Sequence, residues 1–338
     1  MAVDLTGLAA PVVVAPMAGG ASTPQLVAAV GEAGGFGLLA AGYRTAAAVA
    51  EQIRATRQLT GRPFGLNLFV PAAPGDPAAV AGYRERLRPE AERYGVELPV
   101  TIAPDRDDWD AKIELLLADP VPVVSYTFGL PAPAEAEALR AAGILQIGTV
   151  TGPAEARAAA EAGMDVLTVQ GPEAGGHRAT HRVDAEPGTE PLIDLLAAVR
   201  AEVGLPLIAA GGIADGQGLA AVLRAGAVAG QLGTAFLRCE ESGASAAHRA
   251  ALVDPGFRET VVTRSFTGRP ARGLRNAFID RYEPYAPAAY PEVHHLTQPL
   301  RAAAAKRGDL AAMHLWAGTG HRSAGTGPAA AIVRGLLG

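Results

Sequence analysis

The sequence predicts an α/β protein built as a (β/α)8 TIM barrel, with an inserted and C-terminal helical lid region. Short apolar, β-branched stretches alternate eight times with stretches of helical periodicity along the chain. The glycines and prolines are numerous but dispersed, so they separate elements and do not mark disordered segments. A doubly wound open sheet is the alternative, and the number of strand-helix units favours the closed barrel.

The elements follow in order along the chain. Thr23 can cap the first helix, which has Pro24 at its first position, and Asp215 can cap the helix that follows the seventh strand. The predicted strands span residues 11–16, 36–41, 64–69, 121–128, 144–148, 166–170, 205–210 and 228–236. The helices between them are predicted at residues 24–34, 45–59, 133–142, 153–162, 191–203 and 216–225.

Two parts of the chain depart from this repeat. Residues 70–120 contain prolines and two further helices, at 83–94 and 109–118. The region after residue 255 contains an irregular segment at 261–291 that is rich in Arg, Pro and aromatic residues, then a helix at 296–306 and a tail. We therefore expect residues 1–69 and 121–255 to form the barrel, and residues 70–120 and 256–338 to cover its mouth.

Composition limits the classes of partner and compartment. The net charge of −5 gives no electrostatic reason to expect nucleic acid or an anionic membrane surface. Asp4 interrupts the N-terminal residues and the apolar run at 12–14 is short, so we expect no signal segment, no membrane span and a cytoplasmic location. Cys239 is the single cysteine, which leaves no disulfide framework. A monomer or homodimer is expected.

The functional residues are expected at the carboxyl ends of the strands, where barrel enzymes build their active sites. The sixth strand ends at Gln170 and opens into a glycine-rich loop that carries His177. The seventh and eighth strands end in Gly211-Gly212 and Gly233-Thr234. Free backbone N–H groups and one hydroxyl at these ends favour a phosphate-binding cradle, although glycines there could also only turn the chain.

Several chemistries are disfavoured by the same strand ends. A Schiff-base enzyme needs a lysine there, but Lys112 and Lys306 lie elsewhere. A metal site is not expected, because His177 is the only histidine at a predicted strand end and the pair His294-His295 lies in the tail. The remaining polar residues, Asn67, Gln170 and His177, suit a planar phosphorylated cofactor whose own ring performs the chemistry.

Several motifs together resemble those of the nitronate monooxygenases, formerly called 2-nitropropane dioxygenases. The resemblance covers nearly the whole chain, and its motifs lie at residues 16–24, 65–69, 170–178, 209–216, 231–236, 268–273 and 316–318. It implies an FMN-dependent enzyme that oxidises alkyl nitronates with molecular oxygen, O2, to carbonyl compounds and nitrite. Neutral nitroalkanes are a further possible substrate.

The resemblance also implies roles for individual residues. His177 would be the catalytic residue, and it could accept the α-proton of a nitroalkane when uncharged or donate to nitronate oxygens when charged. The residues implied in FMN binding are Met17, Ala18, Asn67, Gln170, Gly175, Gly212, Gln231, Leu232, Gly233 and Thr234. The alternative is an FMN-dependent enoyl-acyl-carrier-protein reductase that uses NAD(P)H, since those enzymes share the loops at residues 173–177 and 210–213.

Overall fold

A computed structural model describes residues 4–338, and its main sheet is a closed parallel barrel. Strands β1 to β6 are neighbours in chain order, and β8 and β9 complete the ring by pairing with β6 and β1. The predicted (β/α)8 barrel is therefore confirmed. The barrel strands are β1 Val12–Val14, β2 Phe36–Ala40, β3 Gly65–Phe69, β4 Val123–Thr127, β5 Leu145–Val150, β6 Val166–Gln170, β8 Leu207–Ala210 and β9 Ala229–Leu232.

Twelve helices surround and cover the barrel in the described part of the chain. As predicted, Thr23 and Asp215 cap α1 and α8, because their side chains accept from the backbone N–H groups of Leu26 and Gly218. The helices are α1 Pro24–Glu32, α2 Ala46–Leu59, α3 Pro77–Tyr94, α4 Trp109–Ala118, α5 Pro133–Ala141, α6 Pro153–Glu161, α7 Leu192–Glu202, α8 Gly216–Arg224, α9 Ala246–Ala251, α10 Ala277–Tyr282, α11 Glu292–Arg307 and α12 Ala329–Leu337.

Alternate residues along each barrel strand belong to different apolar layers. Val13 and Leu38 belong to a cluster made almost entirely of strand residues, which fills the barrel interior. Val12, Val14 and Leu39 pack instead with helix residues in the layer between the sheet and the helices. This alternation explains why the strands read as continuous apolar runs, since both faces of a parallel sheet are buried.

Two helices outside the simple repeat pack on the barrel. Helix α4 contributes Trp109 and Leu116 to the layer between sheet and helices, and it lies on the path from β3 to β4. Helix α12 contributes Val333 and Leu336 to the same layer and contacts α1 and α8. The ring of helices around the barrel thus includes a helix from each segment that was expected to cover the mouth.

A second, three-stranded antiparallel sheet lies beside the barrel mouth. It consists of β10 Thr260–Thr263, β11 Ala271–Leu274 and β7 Gly176–His177. The expectation of an irregular segment at 261–291 is therefore wrong. The strands are only four and two residues long, and β7 is distant in sequence, so local periodicity does not reveal them.

The cover has its own apolar core. Tyr83 and Leu87 of α3 pack with Phe278 of α10 and with Val293 and Leu296 of α11. This cluster fixes α11 above the carboxyl ends of the strands. Among residues 4–338, the structure contains no helix with the length and apolar character needed to cross a membrane.

Candidate active site

A cavity of about 480 Å³ lies at the carboxyl ends of the barrel strands, beneath the cover. This is the position at which barrel enzymes bind their ligands. The cavity brings together ten of the eleven residues named from the sequence, namely Met17, Ala18, Gln170, Gly175, His177, Gly212, Gln231, Leu232, Gly233 and Thr234.

Asn67 is the exception, because it lies behind the cavity wall. Its side chain is 1% exposed and donates to the hydroxyls of Ser125 and Thr127, at 2.9 and 3.0 Å. These two residues line the cavity. Asn67 therefore orients hydroxyl groups that face the cavity.

The glycine-rich strand ends adopt the backbone shapes expected of a cradle. Gly211 and Gly212 have φ angles of 117° and 69°, in the region that favours glycine. β9 ends at Leu232, four residues earlier than predicted, and Thr234–Phe236 form a tight helical turn. The Thr234 hydroxyl accepts from the Gly318 N–H at 3.0 Å, so its own proton remains available to a ligand.

Gly175 has a packing role in addition to its place on the cavity wall. A β-carbon at this position would lie 2.4 Å from the backbone nitrogen of Gly318. Only glycine allows the 316–320 segment to cross the loop this closely. The close approach places Trp316 next to His177, with ring centres 5.5 Å apart.

Gln170 positions the strand that carries His177. Its side-chain N–H group donates to the His177 carbonyl at 2.9 Å, and its side-chain oxygen accepts from the Ala179 N–H at 2.9 Å. Both ends of the amide are therefore engaged with backbone on either side of Arg178. The consequence is a fixed orientation of β7 relative to the end of β6.

The imidazole of His177 lies in an apolar and cationic environment. Its Nε2 atom is 2.9 Å from the Thr267 hydroxyl, and the rings of Phe128 and Tyr290 lie 5.6 and 5.8 Å from its centre. Loss of water contact, together with the positive charges of Arg269 and Arg301, lowers its pKa from 6.5 to about 3. His177 is therefore neutral near pH 7, which leaves the charged donor role considered from the sequence without support.

Two arginines bring positive charge to this neutral imidazole. Arg269 is fully buried, lies 4.0 Å above the Phe128 ring, and has two guanidinium nitrogens, Nε and Nη2, without a hydrogen-bond partner. Arg301 lines the cavity and donates to the Thr297 hydroxyl at 3.0 Å. Burial lowers the pKa of each to about 10, so both remain cationic near neutral pH.

A layer of aromatic side chains forms the roof of the cavity. Tyr43 stacks on His294 with ring centres 4.2 Å apart, and its hydroxyl accepts from the Tyr290 hydroxyl at 3.1 Å. Burial lowers the pKa of His294 and of His314, so these imidazoles are also neutral near pH 7. His294 belongs to the pair that was set aside because it lies in the tail and not at a strand end, and α11 brings it to the cavity.

A buried ion pair, Lys112 with Asp107, is hydrogen-bonded to the backbone of Tyr43. Lys112 Nζ lies 2.8 Å from Asp107 Oδ2, and Asp107 Oδ1 accepts from the Tyr43 N–H at 2.7 Å. Tyr43 has a φ of 65°, which a non-glycine residue adopts only when its surroundings require it. No local pattern predicts this support, because Tyr43 lies far along the chain from Asp107 and Lys112.

The cavity matches the requirements of a large planar cofactor with a phosphate. Gln231 Oε1 is buried on the wall and has no hydrogen-bond partner, so it can accept from a ring N–H group. The candidate phosphate cradle lies at Gly211-Gly212 and Gly233-Thr234, after β8 and β9, and Gln231 lies in β9. Within residues 4–338 no group of three or more His, Cys, Asp or Glu side chains is arranged to hold a metal ion.

Fold and site together are those of a (β/α)8-barrel enzyme, and the cavity at the barrel mouth is its candidate active site. The sequence matches the family described as nitronate monooxygenase over residues 3–338, and the chain belongs to that family. Membership makes it an oxidoreductase and implies a flavin cofactor.

Individual relatives agree with this assignment. A probable nitronate monooxygenase from Staphylococcus saprophyticus is 39% identical over 318 residues, covering 92% of this chain and 89% of the relative. The solved structure of a nitroalkane oxidase from Streptomyces ansochromogenes is 53% identical, with a TM-score of 0.95 over 98% of this chain and 96% of that one. FabK from Thermotoga maritima is 28% identical, with a TM-score of 0.75 over 99% and 93%.

Proposed function

We propose that the protein is an FMN-dependent enzyme that oxidises alkyl nitronates with molecular oxygen to carbonyl compounds and nitrite. One observation carries the proposal: the neutral His177 lies among the charges of Arg269 and Arg301 in the cavity that also contains the glycine cradle. Positive charge in an apolar cavity favours an anionic substrate over a neutral one. A nitronate is such an anion.

FMN fits the polar groups of the cavity. The N–H groups of Gly212 and Gly233 and the hydroxyl of Thr234 would hold the phosphate, since no lysine lies on the wall. Gln231 would accept from the ring, beside Met17 and Ala18. Bound FMN would supply the two-electron redox chemistry of the oxidation and pass the electrons to oxygen.

His177 would act at the substrate as a neutral group. Thr267 has one hydroxyl proton, and it can donate either to His177 Nε2 at 2.9 Å or to the Arg269 carbonyl at 3.3 Å. This choice sets which ring nitrogen carries the imidazole proton. An imidazole with such a low pKa is a weak base, which supports nitronates as the main substrates and neutral nitroalkanes as slower ones.

The reductase alternative predicts a different source of electrons. The higher identity and TM-score of the nitroalkane oxidase structure support oxidation of nitro compounds. The deciding experiment mixes the purified protein anaerobically with a preformed nitronate and, separately, with NADH, and follows the flavin spectrum. Bleaching by nitronate alone supports the proposal, whereas stoichiometric bleaching by NADH without a response to nitronate supports the reductase.

A variant of His177 tests its role. His177→Asn should retain FMN and lower turnover of neutral nitroalkanes most, by roughly 10²- to 10⁴-fold if general-base catalysis is lost. His295→Asn is the matched control, because His295 pairs with Asp105 at 2.8 Å outside the cavity. Full activity of His177→Asn on both substrate forms, or loss of its flavin, would contradict the assignment. Cytoplasmic location and a monomer or homodimer stay predictions.

A further inference from the structure

A second cavity, of about 270 Å³, lies on the other side of the sheet that carries His177. In the register of this sheet, Arg272 pairs with Gly176 and with Val262, while Ala271 pairs with His177. Directly opposed residues of antiparallel strands point to the same face, and successive residues alternate. Arg272 therefore points away from the His177 face.

Two more arginines share the Arg272 face. Arg178 directly follows His177, and Arg264 follows Thr263 at the end of β10, so the alternation returns both to the face of Arg272. All three arginines line the second cavity. Three guanidinium groups from three segments thus converge on one small space.

The positive charge in this cavity is only partly neutralised. Within residues 4–338, Arg178 and Arg272 form no ion pair, and each donates to backbone carbonyls, of Gln170 at 3.4 Å and of Pro172 at 2.7 Å. Arg178 is 1% exposed and its Nε has no partner. Burial and the neighbouring charge of Arg272 lower the pKa of Arg178 to about 10.

Two carboxylates line the cavity, Glu283 and Glu186, while the charges of Glu173 and Glu155 act on Arg178 from outside the lining. Glu283 accepts from the backbone N–H groups of Arg264 and Ser265, at 2.8 and 3.1 Å. Glu186 pairs with Arg264 at 3.1 Å, but its side chain is 84% exposed. Because the Glu186 side of the pair is solvated, the pair contributes little, and Glu186 can give way to a ligand at Arg264.

We propose that this second cavity binds a small oxyanion of the phosphate type between Arg178, Arg264 and Arg272. Guanidinium groups present paired N–H donors that match the geometry of phosphate oxygens. The free Nε of Arg178 and the Arg264 group released from Glu186 would donate to it. Because β7 separates the two cavities, an anion bound here lies directly behind the strand of His177.

The test uses the flavin-loaded protein, with inorganic phosphate as the probe. Binding is measured by isothermal titration calorimetry at constant ionic strength, with chloride replacing phosphate in the reference, since salt alone screens charges. We expect saturable binding at one site. Arg264→Gln should weaken it roughly 10- to 100-fold, the effect of losing hydrogen bonds to a charged group. Arg157→Gln, which breaks an ion pair between Arg157 of α6 and Glu202 of α7, should leave phosphate binding unchanged.

Glu186→Gln gives an independent readout. This exposed substitution removes the carboxylate that competes for Arg264, so phosphate should bind several-fold more tightly. The proposal is overturned if wild-type protein shows no saturable phosphate binding, or if the affinity is the same in Arg264→Gln. It is also overturned if Glu186→Gln binds phosphate no more tightly than wild type does. A third contrary result is phosphate that only competes with nitronate, with the same competition in Arg264→Gln, because such phosphate would be binding in the first cavity.

Discussion

The neutral state of His177 predicts a specific loss of stability in acid. A histidine in the unfolded chain titrates near pH 6.5, whereas the folded environment lowers the pKa of His177 to about 3. Between these values the unfolded state binds one more proton than the folded state. Stability from this group is therefore fully present above pH 6.5 and declines as the pH falls towards 3.

The magnitude follows from the same two pKa values. Each pH unit in this window removes about 1.4 kcal/mol from the free energy of unfolding, so about 2.5 kcal/mol is lost between pH 7.5 and 4.5. His177→Asn has no group to titrate there. The variant should lose about 2.5 kcal/mol less than wild type over this interval, whatever its stability at pH 7.5.

Urea unfolding at several pH values, with saturating FMN, measures the difference. Carboxylates titrate in both proteins, so their contribution cancels when the two pH profiles are subtracted. Tyr290→Phe is the control, because it removes the hydroxyl contact with Tyr43 without changing any histidine. Its pH profile should run parallel to that of wild type. Equal acid losses for wild type and His177→Asn would refute the conclusion that the folded protein holds His177 in its neutral form.

Three further substitutions test the walls of the active-site cavity. Thr234→Val removes one hydroxyl donor and should weaken FMN binding by about one to two decades; undiminished retention in dialysis would exclude Thr234 from the phosphate site. Gly175→Ala places a β-carbon 2.4 Å from the Gly318 nitrogen, and this overpacking should lower the free energy of unfolding by about 1–3 kcal/mol. A melting temperature equal to that of wild type would contradict the packing role. Gln170→Leu removes both hydrogen bonds to the backbone around His177, so turnover should fall about tenfold or more at unchanged flavin content. Turnover equal to that of wild type would show that this strand is positioned without Gln170.

The barrel could be predicted from sequence because its signal is local. Each strand is a short apolar run, and helical segments separate successive strands, some of them with a recognisable cap, as at Thr23 and Asp215. Eight repeats of that pattern leave few folds to consider. The sheet formed by β7, β10 and β11 has no such signal. Its pairing joins Gly176 to Arg272 across a long separation, and its strands are too short for periodicity.

Sequence reasoning could name those residues of the candidate site that lie at or near the ends of barrel strands. The glycines at 211–212 and 233 follow barrel strands directly, and His177 lies in the loop that leaves β6, so the fold brings them to one mouth. Arg301 and His294 reach the same cavity from α11, which belongs to the cover, and no local pattern places that helix. Arg269 lies within the motif at residues 268–273, but its orientation over Phe128 depends on tertiary packing.

The position of α12 in the chain has a consequence for biosynthesis. Val333 and Leu336 cover apolar surface on α1 and α8, so that surface stays open until the last residues of this sequence have left the ribosome. Helix α1 is synthesised long before α12, so this face of α1 has no partner in α12 while the strands and helices between the two are made. During that interval the apolar surface that α12 later covers is exposed on the nascent chain, where a chaperone could bind.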